Sequence, residues 1–515
     1  MGLSGQKILR NMFGLDYRSL ALLRIGLGII LLVNLYITIP DLRALYTDEG
    51  VLPRRILISG PDLMASPSLY MADGSAWYVY SLFVIQAILA ALFLVGYRTH
   101  LVGIASYIML LSFQARNPLL LFGSDMTLRL ALFWALFLPI GRRYSIDAML
   151  GRVERPQSET YLGIPGAAYI GQVAIMYVFS GLLKTGDTWR VDHTAVYYSL
   201  ALDMYTRPLG HWLNQFDGLT TWITIFVYYL EIYGPLLFIL PVWSGWGRLL
   251  GFGLFAVTQI GFNLCLDLGL FGAVMIVCML GLLPTEFWTY LGEPVIHWIA
   301  ACAKAWSPIR LASAFENWRQ RGQQRAHVLA GLPPMTNLKR QGLTFLCLLR
   351  DGAALFLIIY TLCWNISTYP GKESYMPDKY AWIGQQTGLY QFYNLFSPDP
   401  QTDDGWIVIR GTLKNGQQIN AFTGERTVTF DRPADIPGSY IDQRWGGYLI
   451  YLILPNGQMY LEPFLQYLER EWNRAHSAPQ EKIATIEFFY LHQQNGPNHA
   501  KGPLQTDLLW TQTWQ

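Results

Sequence analysis

The feature that most constrains this chain is a series of apolar runs. Each is close to the roughly 17–25 residues that a helix needs to cross the hydrocarbon of a bilayer. They lie near residues 19–39, 77–96, 100–121, 127–140, 166–184, 219–242, 246–264, 268–284 and 344–365. The fourth run is short and fits a segment packed inside the bundle or a re-entrant one, which is tolerated where protein covers the backbone. Asp267 interrupts the nearly continuous apolar stretch at the seventh and eighth runs. A hydrophobic fraction of 52% and a positive mean hydropathy point the same way. Lys7, Arg10 and Arg18 before the first run resemble the start of a signal peptide. The run is long and lacks a small-residue cleavage site, so an uncleaved first span is expected.

The expected fold is an all-α polytopic membrane bundle of about nine transmembrane helices with a C-terminal α+β extracytoplasmic domain. The expected divisions are 1–284 for the bundle, 285–343 for a basic cytoplasmic connector with a helix through 312–325, 344–365 for the last transmembrane helix, and 366–515 for the outer domain. Basic residues set the orientation. If all nine runs cross and the N-terminus is cytoplasmic, Arg98, Arg142, Arg143, Arg152, Arg155, Arg248 and the basic connector fall inside. Fewer, among them Arg43, Arg54, Arg116, Arg190 and Arg207, fall outside, which obeys the positive-inside rule. The C-terminal domain and Lys184 then belong to the outer side.

Beyond residue 369 the pattern becomes that of a water-soluble domain. Asp404–Leu413 alternates, Asn415-Gly416 marks a tight turn before Gln417–Phe422, and Ile483–Leu491 reads as a further strand. Phe464, Leu468 and Trp472 recur every four residues, so 448–474 is expected to be helix-turn-helix. A net charge of +2 gives no reason to expect nucleic-acid binding. There is no CxxC and no redox-metal motif, so neither thiol-redox chemistry nor a metal is expected.

Ionisable and polar residues inside spans are costly and mark candidate sites. Lys184 follows the apolar stretch Tyr169–Leu183 without an intervening charge, and Asp187 and Trp189 come after it. Desolvation disfavours an ammonium near hydrocarbon, so such a lysine is poised to accept a proton as a general base; a snorkelling surface lysine is the plainer reading. Asp125 and Arg129 are four apart and would meet on one helix face, as an ion pair or as part of a site. Arg24 needs a partner, with Glu231 one option. Glu231, before Gly234-Pro235, together with Gln259 and Asn263 would line an intramembrane cavity for a lipid-soluble ligand such as a quinone, or else bond between helices.

The run Gly181-Leu182-Leu183-Lys184 with Asp187 and Trp189 resembles the segment of vitamin K-dependent γ-glutamyl carboxylases that carries their catalytic lysine. Residues 19–35, 41–54 and 122–147 resemble the wider HTTM (horizontally transferred transmembrane) family, which contains those enzymes. The resemblance implies a bacterial-type homologue in the inner membrane, with its C-terminal domain on the periplasmic side. It implies a reduced vitamin K-type quinone (hydroquinone) as cofactor, with O2 and CO2 as co-substrates. In that family the lysine deprotonates the quinol, oxygen converts the quinol anion to an epoxide through a strongly basic alkoxide, and this base abstracts a γ-proton from a peptide glutamate, whose carbanion attacks CO2. Lys184 is thus the implied catalytic base, with Tyr393 and Asn394 in a segment that loosely echoes a family motif. This chain lacks a histidine in Gly123-Ser124-Asp125-Met126 and has Gln259 where the family carries another. Quinol oxygenation (epoxidase activity) is therefore expected ahead of glutamate carboxylation. The partners implied are the lipid bilayer, a quinone-type lipid and a peptide or protein on the outer face. The alternative is a non-catalytic binding or scaffold protein with the same fold.

Overall fold

The structure is a computed structural model that describes residues 5–59, 68–154, 156–295 and 337–514. The expected connector helix at 312–325 lies outside the described residues. The longer helices are α1 (Gly5–Phe13), α2 (Tyr17–Thr38), α3 (Ala76–Val95), α4 (Thr99–Arg116), α5 (Gly123–Ala135), α6 (Ile164–Leu182), α7 (Asp217–Tyr233), α8 (Ser244–Cys265), α9 (Phe271–Leu280) and α10 (Asn337–Ser367). The C-terminal region adds α11 (Gln443–Ile453) and α12 (Leu461–Ala475).

Local chemistry sets several ends. Asp16 caps α2 by accepting from the Arg18 backbone N–H at 2.8 Å. Gly96 closes α3 at φ +69°, a conformation that suits glycine. At Gly234-Pro235 the α-helix α7 gives way to a 3-10 turn, Gly234–Ile239, because proline cannot supply the N–H that the helix would need.

Among the described residues six helices are long and apolar enough to cross a membrane. The bent pair Phe271–Leu280 and Thr285–Val295, which meet at 95°, raises this to seven if counted as one span. The count falls short of the nine expected. At 13 residues α5 spans only about 20 Å against a hydrocarbon core of about 30 Å, and α4 carries His100 and Arg116 within its 18 residues. Several long apolar helices are compatible with an integral membrane protein. Their outer faces carry exposed Ile29, Val84, Ile88, Phe226 and Leu250, as a lipid-facing surface would.

The connections gather at two ends. At one, strand β1 (Leu15–Asp16) pairs with β2 (Thr160–Tyr161), Arg18 binds Glu293 at 2.6 Å, and Arg248 donates to the Gly14 carbonyl at 2.5 Å. At the other, Asn117 donates to the Leu45 carbonyl, Arg207 binds Asp267 at 2.7 Å, and the C-terminal region is seated. Trp445 Nε1 donates to Asp41, and Arg444 donates to Asn34 of α2 at 2.5 Å. One apolar cluster fills the bundle, while a second runs from Leu42, Leu45 and Phe113 into Tyr448, Phe464 and Phe488 of the C-terminal region.

That region is an antiparallel sheet in the order β4-β3-β5-β6, covered by α11 and α12. The expected hairpin is present as β3 (Asp403–Leu413) and β4 (Gln418–Asn420), with Gly416 at φ +84° in its turn. The expected helix-turn-helix is α11 and α12, and β5 (Ile483–Gln494) is the further strand. The edge strand β6 (Gln505–Thr513) was not expected from the sequence. Its residues are mostly exposed, so it carries no apolar alternation to signal a strand.

Candidate functional site

Helix α6 ends at Leu182, and the chain turns at once, with Lys184 N–H bonded to the Gly181 carbonyl at 3.2 Å. Gly181 decides what lies beside that turn. A Cβ there would stand 2.6 Å from Ile232 Cγ1 and 3.2 Å from Glu231 Cβ, so the bare backbone lets α7 come close. The approach sets Glu231 against Lys184. Lys184 is 3% exposed and Glu231 8%. Lys184 Nζ donates to Glu231 Oε2 at 2.5 Å, to Ser180 Oγ at 3.1 Å and to the Ser180 carbonyl at 3.2 Å, using the three donors of an ammonium. The Trp189 ring covers the same nitrogen, its centroid 4.9 Å away, where a cation is attracted to the ring face. The structure thus replaces the snorkelling lysine with a buried and fully partnered one.

The pair borders a cavity of about 690 Å³ between α5, α6, α7, α8 and a strap of the C-terminal region. Its walls are mainly apolar, including Met126, Tyr177 and Phe271. Lys184, Glu231, Gln259, Tyr393 and Asn394 all line it. Gln259 Oε1 is a buried acceptor with no hydrogen-bond partner among the described residues.

The strap, residues 388–399, is held at both ends. At one end Arg129 donates to the carbonyls of Gly388 at 2.7 Å and Tyr390 at 2.8 Å. At the other, Asp399 Oδ1 accepts from the Thr188 N–H at 3.1 Å and from its hydroxyl at 2.5 Å. Trp189 Nε1 donates to the Phe396 carbonyl at 2.9 Å, and Gly186 N–H to that of Pro398. In between, the Tyr393 hydroxyl bonds to the buried amides of Gln391 and Gln172, and Gln172 also accepts from Trp134 Nε1 at 2.9 Å.

Four other candidates lie off the cavity wall. Asp125 Oδ2 accepts from the Phe122 N–H at 3.1 Å and so caps α5. It forms no ion pair with Arg129, although the two are one helical turn apart, because the guanidinium turns to the strap carbonyls and to Gln114 at 3.2 Å. Asn263 packs on Gly272, where a Cβ would come within 2.9 Å of its amide. Arg24 does not reach Glu231: it is fully buried at the opposite end of the bundle and donates to the Tyr144 carbonyl at 2.5 Å.

Sequence reasoning missed Ser180, Thr188 and Asp399. Ser180 was legible in principle, standing one helical turn before Lys184. Nothing local links Thr188 to Asp399. Comparisons with protein-family models, with curated proteins and with solved structures return no match.

Proposed function

We propose that this is a membrane-embedded protein of the HTTM, carboxylase-like kind that binds a quinol in the cavity beside Lys184. In this reading the bundle lies in a bacterial inner membrane, with the N-terminus cytoplasmic and the C-terminal domain outside. The observation that carries the reading is the buried Lys184–Glu231 pair on the wall of a largely apolar cavity of about 690 Å³. The volume falls within the roughly 300–1,000 Å³ of small-molecule sites.

The residues present fit a flat, lipid-soluble diol. Tyr177, Met126 and Phe271 offer apolar walls, and Lys184, Glu231 and Gln259 offer polar partners. Bound there, a quinol supplies an ionisable O–H and, with oxygen, the means to make a strong base. The protein's part is proton handling. In the observed contact Lys184 Nζ donates one proton to Glu231 Oε2. Handing that proton to Glu231 would leave Lys184 as an amine able to take another. The pair would then carry a net positive charge next to the quinol anion and stabilise it, more strongly than in water because the cavity walls are mainly apolar. Ser180 and Trp189 hold Nζ in position meanwhile. O2 and CO2 would enter as co-substrates and a peptide from the outer face, with glutamate carboxylation the least supported step.

One observation favours a non-catalytic reading. Every donor of Lys184 is already satisfied, as in a buried pair that only ties α6 to α7. Solvent extraction of the purified protein separates the two readings. A bound quinone seen by absorbance in the wild type and lost on Tyr177→Ala with Met126→Trp supports the cavity site. A protein that neither retains nor takes up any quinone contradicts it.

A further inference from the structure

We infer that the cavity opens sideways to the lipid between α7 and α8, and that its ligand is an amphiphile with a long apolar tail leaving through this gap. The inference deepens the quinol reading and rests on it for the head group. The tail and its route come from separate observations.

Both helices pack on the 3-10 turn Gly234–Ile239 that joins them. On α7 the exposed residues 219, 222, 226, 229 and 233 repeat at helical spacing and mark the lipid-facing stripe, while Thr220, Thr224 and Val227 are buried. On α8 residues 250, 253, 257, 260 and 264 form a similar exposed stripe. The cavity wall takes members from both sides of each boundary. It includes the inward Val227 and Glu231 with lipid-facing Phe226 on α7, and Thr258 and Phe262 with lipid-facing Val257 on α8. A wall that reaches into two lipid-facing stripes is not closed between them.

Gly261 sits on that wall, and a Cβ built there would have no atom of the described residues within 4 Å. No side chain from α7 fills the space opposite it. The gap is therefore bordered by Phe226, Val257 and Gly261, with no charge among them, and the ion pair stands further in. Such a layout matches a molecule polar at one end and apolar along the rest. Burying its tail is favourable relative to water and close to neutral relative to lipid, so lipid is the phase that tail comes from.

The test uses the full chain in lipid nanodiscs with two probes. One is a naphthoquinone with a long isoprenoid tail that carries a photoactivatable diazirine. The other is the same ring without a tail, used as an unlabelled ligand. The expected result is tail cross-links on Phe226, Val257 and neighbouring residues of α7 and α8. Gly261→Trp should weaken binding of the tailed compound by about tenfold or more, while the tail-less ring still binds. Gly253→Trp is the control, because a Cβ there also meets no described residue within 4 Å but the glycine is off the cavity wall; it should change neither. Cross-links confined to the strap, with Gly261→Trp without effect, would overturn the gap and leave the quinol reading intact. If neither ring compound binds, the quinol reading fails, and the same diazirine on a long-chain alcohol decides the gap. Labelling at Phe226 and Val257 would then uphold it, and its absence there would overturn it.

Discussion

Lys184 Nζ stands 2.5 Å from Glu231 Oε2, and this one contact joins the end of α6 to α7 at the wall of the cavity. Removing one partner leaves the other buried without its counter-charge. Glu231→Ala is expected to destabilise the protein by about 3–5 kcal/mol, whereas Lys184→Met with Glu231→Leu should recover most of the loss. Thermal unfolding in detergent checks this. A single variant as stable as the wild type would mean that the pair is not formed.

Gly181 makes that contact possible. With a Cβ only 2.6 Å from Ile232 Cγ1, Gly181→Val should force α6 and α7 apart at a cost of about 1–3 kcal/mol. Ile232→Ala in the same chain should relieve it. If Gly181→Val alone unfolds at the wild-type temperature, the close approach is wrong.

The strap depends on Asp399. Gly186 faces the same carboxylate so closely that a Cβ would displace it. Asp399→Ala and Gly186→Ala should therefore act alike, raising amide hydrogen exchange across 392–399 without altering exchange in α2 or α3. Unchanged exchange in the strap in both variants would count against the latch.

Much of this arrangement was legible in the sequence, and the exceptions share a cause. Apolar runs announced each long helix because periodicity and length are local properties. Lys184 stood out because its stretch held no other charge. The partners were another matter. Arg129 was one helical turn from Asp125, yet it turns to the carbonyls of Gly388 and Tyr390, which arrive from far along the chain. Arg24 and Glu231 both wanted a counter-charge, but they lie in different parts of the bundle: Arg24 donates to the Tyr144 carbonyl, and Glu231 pairs with Lys184. Only the tertiary approach at Gly181 decides that.

Stability of the C-terminal region should fall as pH rises. Burial pushes the Asp404 carboxyl up to about 7, against the hydrogen bond from the Met204 N–H. The folded state therefore holds a proton that the unfolded chain gives up near pH 4. Stability is full below that, declines between about pH 4 and 7 by up to about 1.4 kcal/mol per unit, and is flat above. His492 acts in the same direction: burial opposes its charge, but hydrogen bonds to Asp403 and Asp507 outweigh it and raise the imidazole, so its contribution is lost as pH rises through the raised value. Asp404→Asn should flatten the Asp404 part of the slope in denaturant unfolding followed from pH 4 to 8. A wild-type stability that rises over that range would contradict the assignment.

The central claim is that Lys184 and Glu231 take the proton of a bound quinol. The most direct measurement is epoxide formation from a reduced, tailed naphthoquinone with oxygen, comparing wild type with Lys184→Ala in the same lipid. The account predicts epoxide in the wild type and a loss of about a hundredfold or more in the variant, the usual scale for removing a general base. Full turnover by Lys184→Ala, or no epoxide from a wild type that binds the quinol, would contradict it.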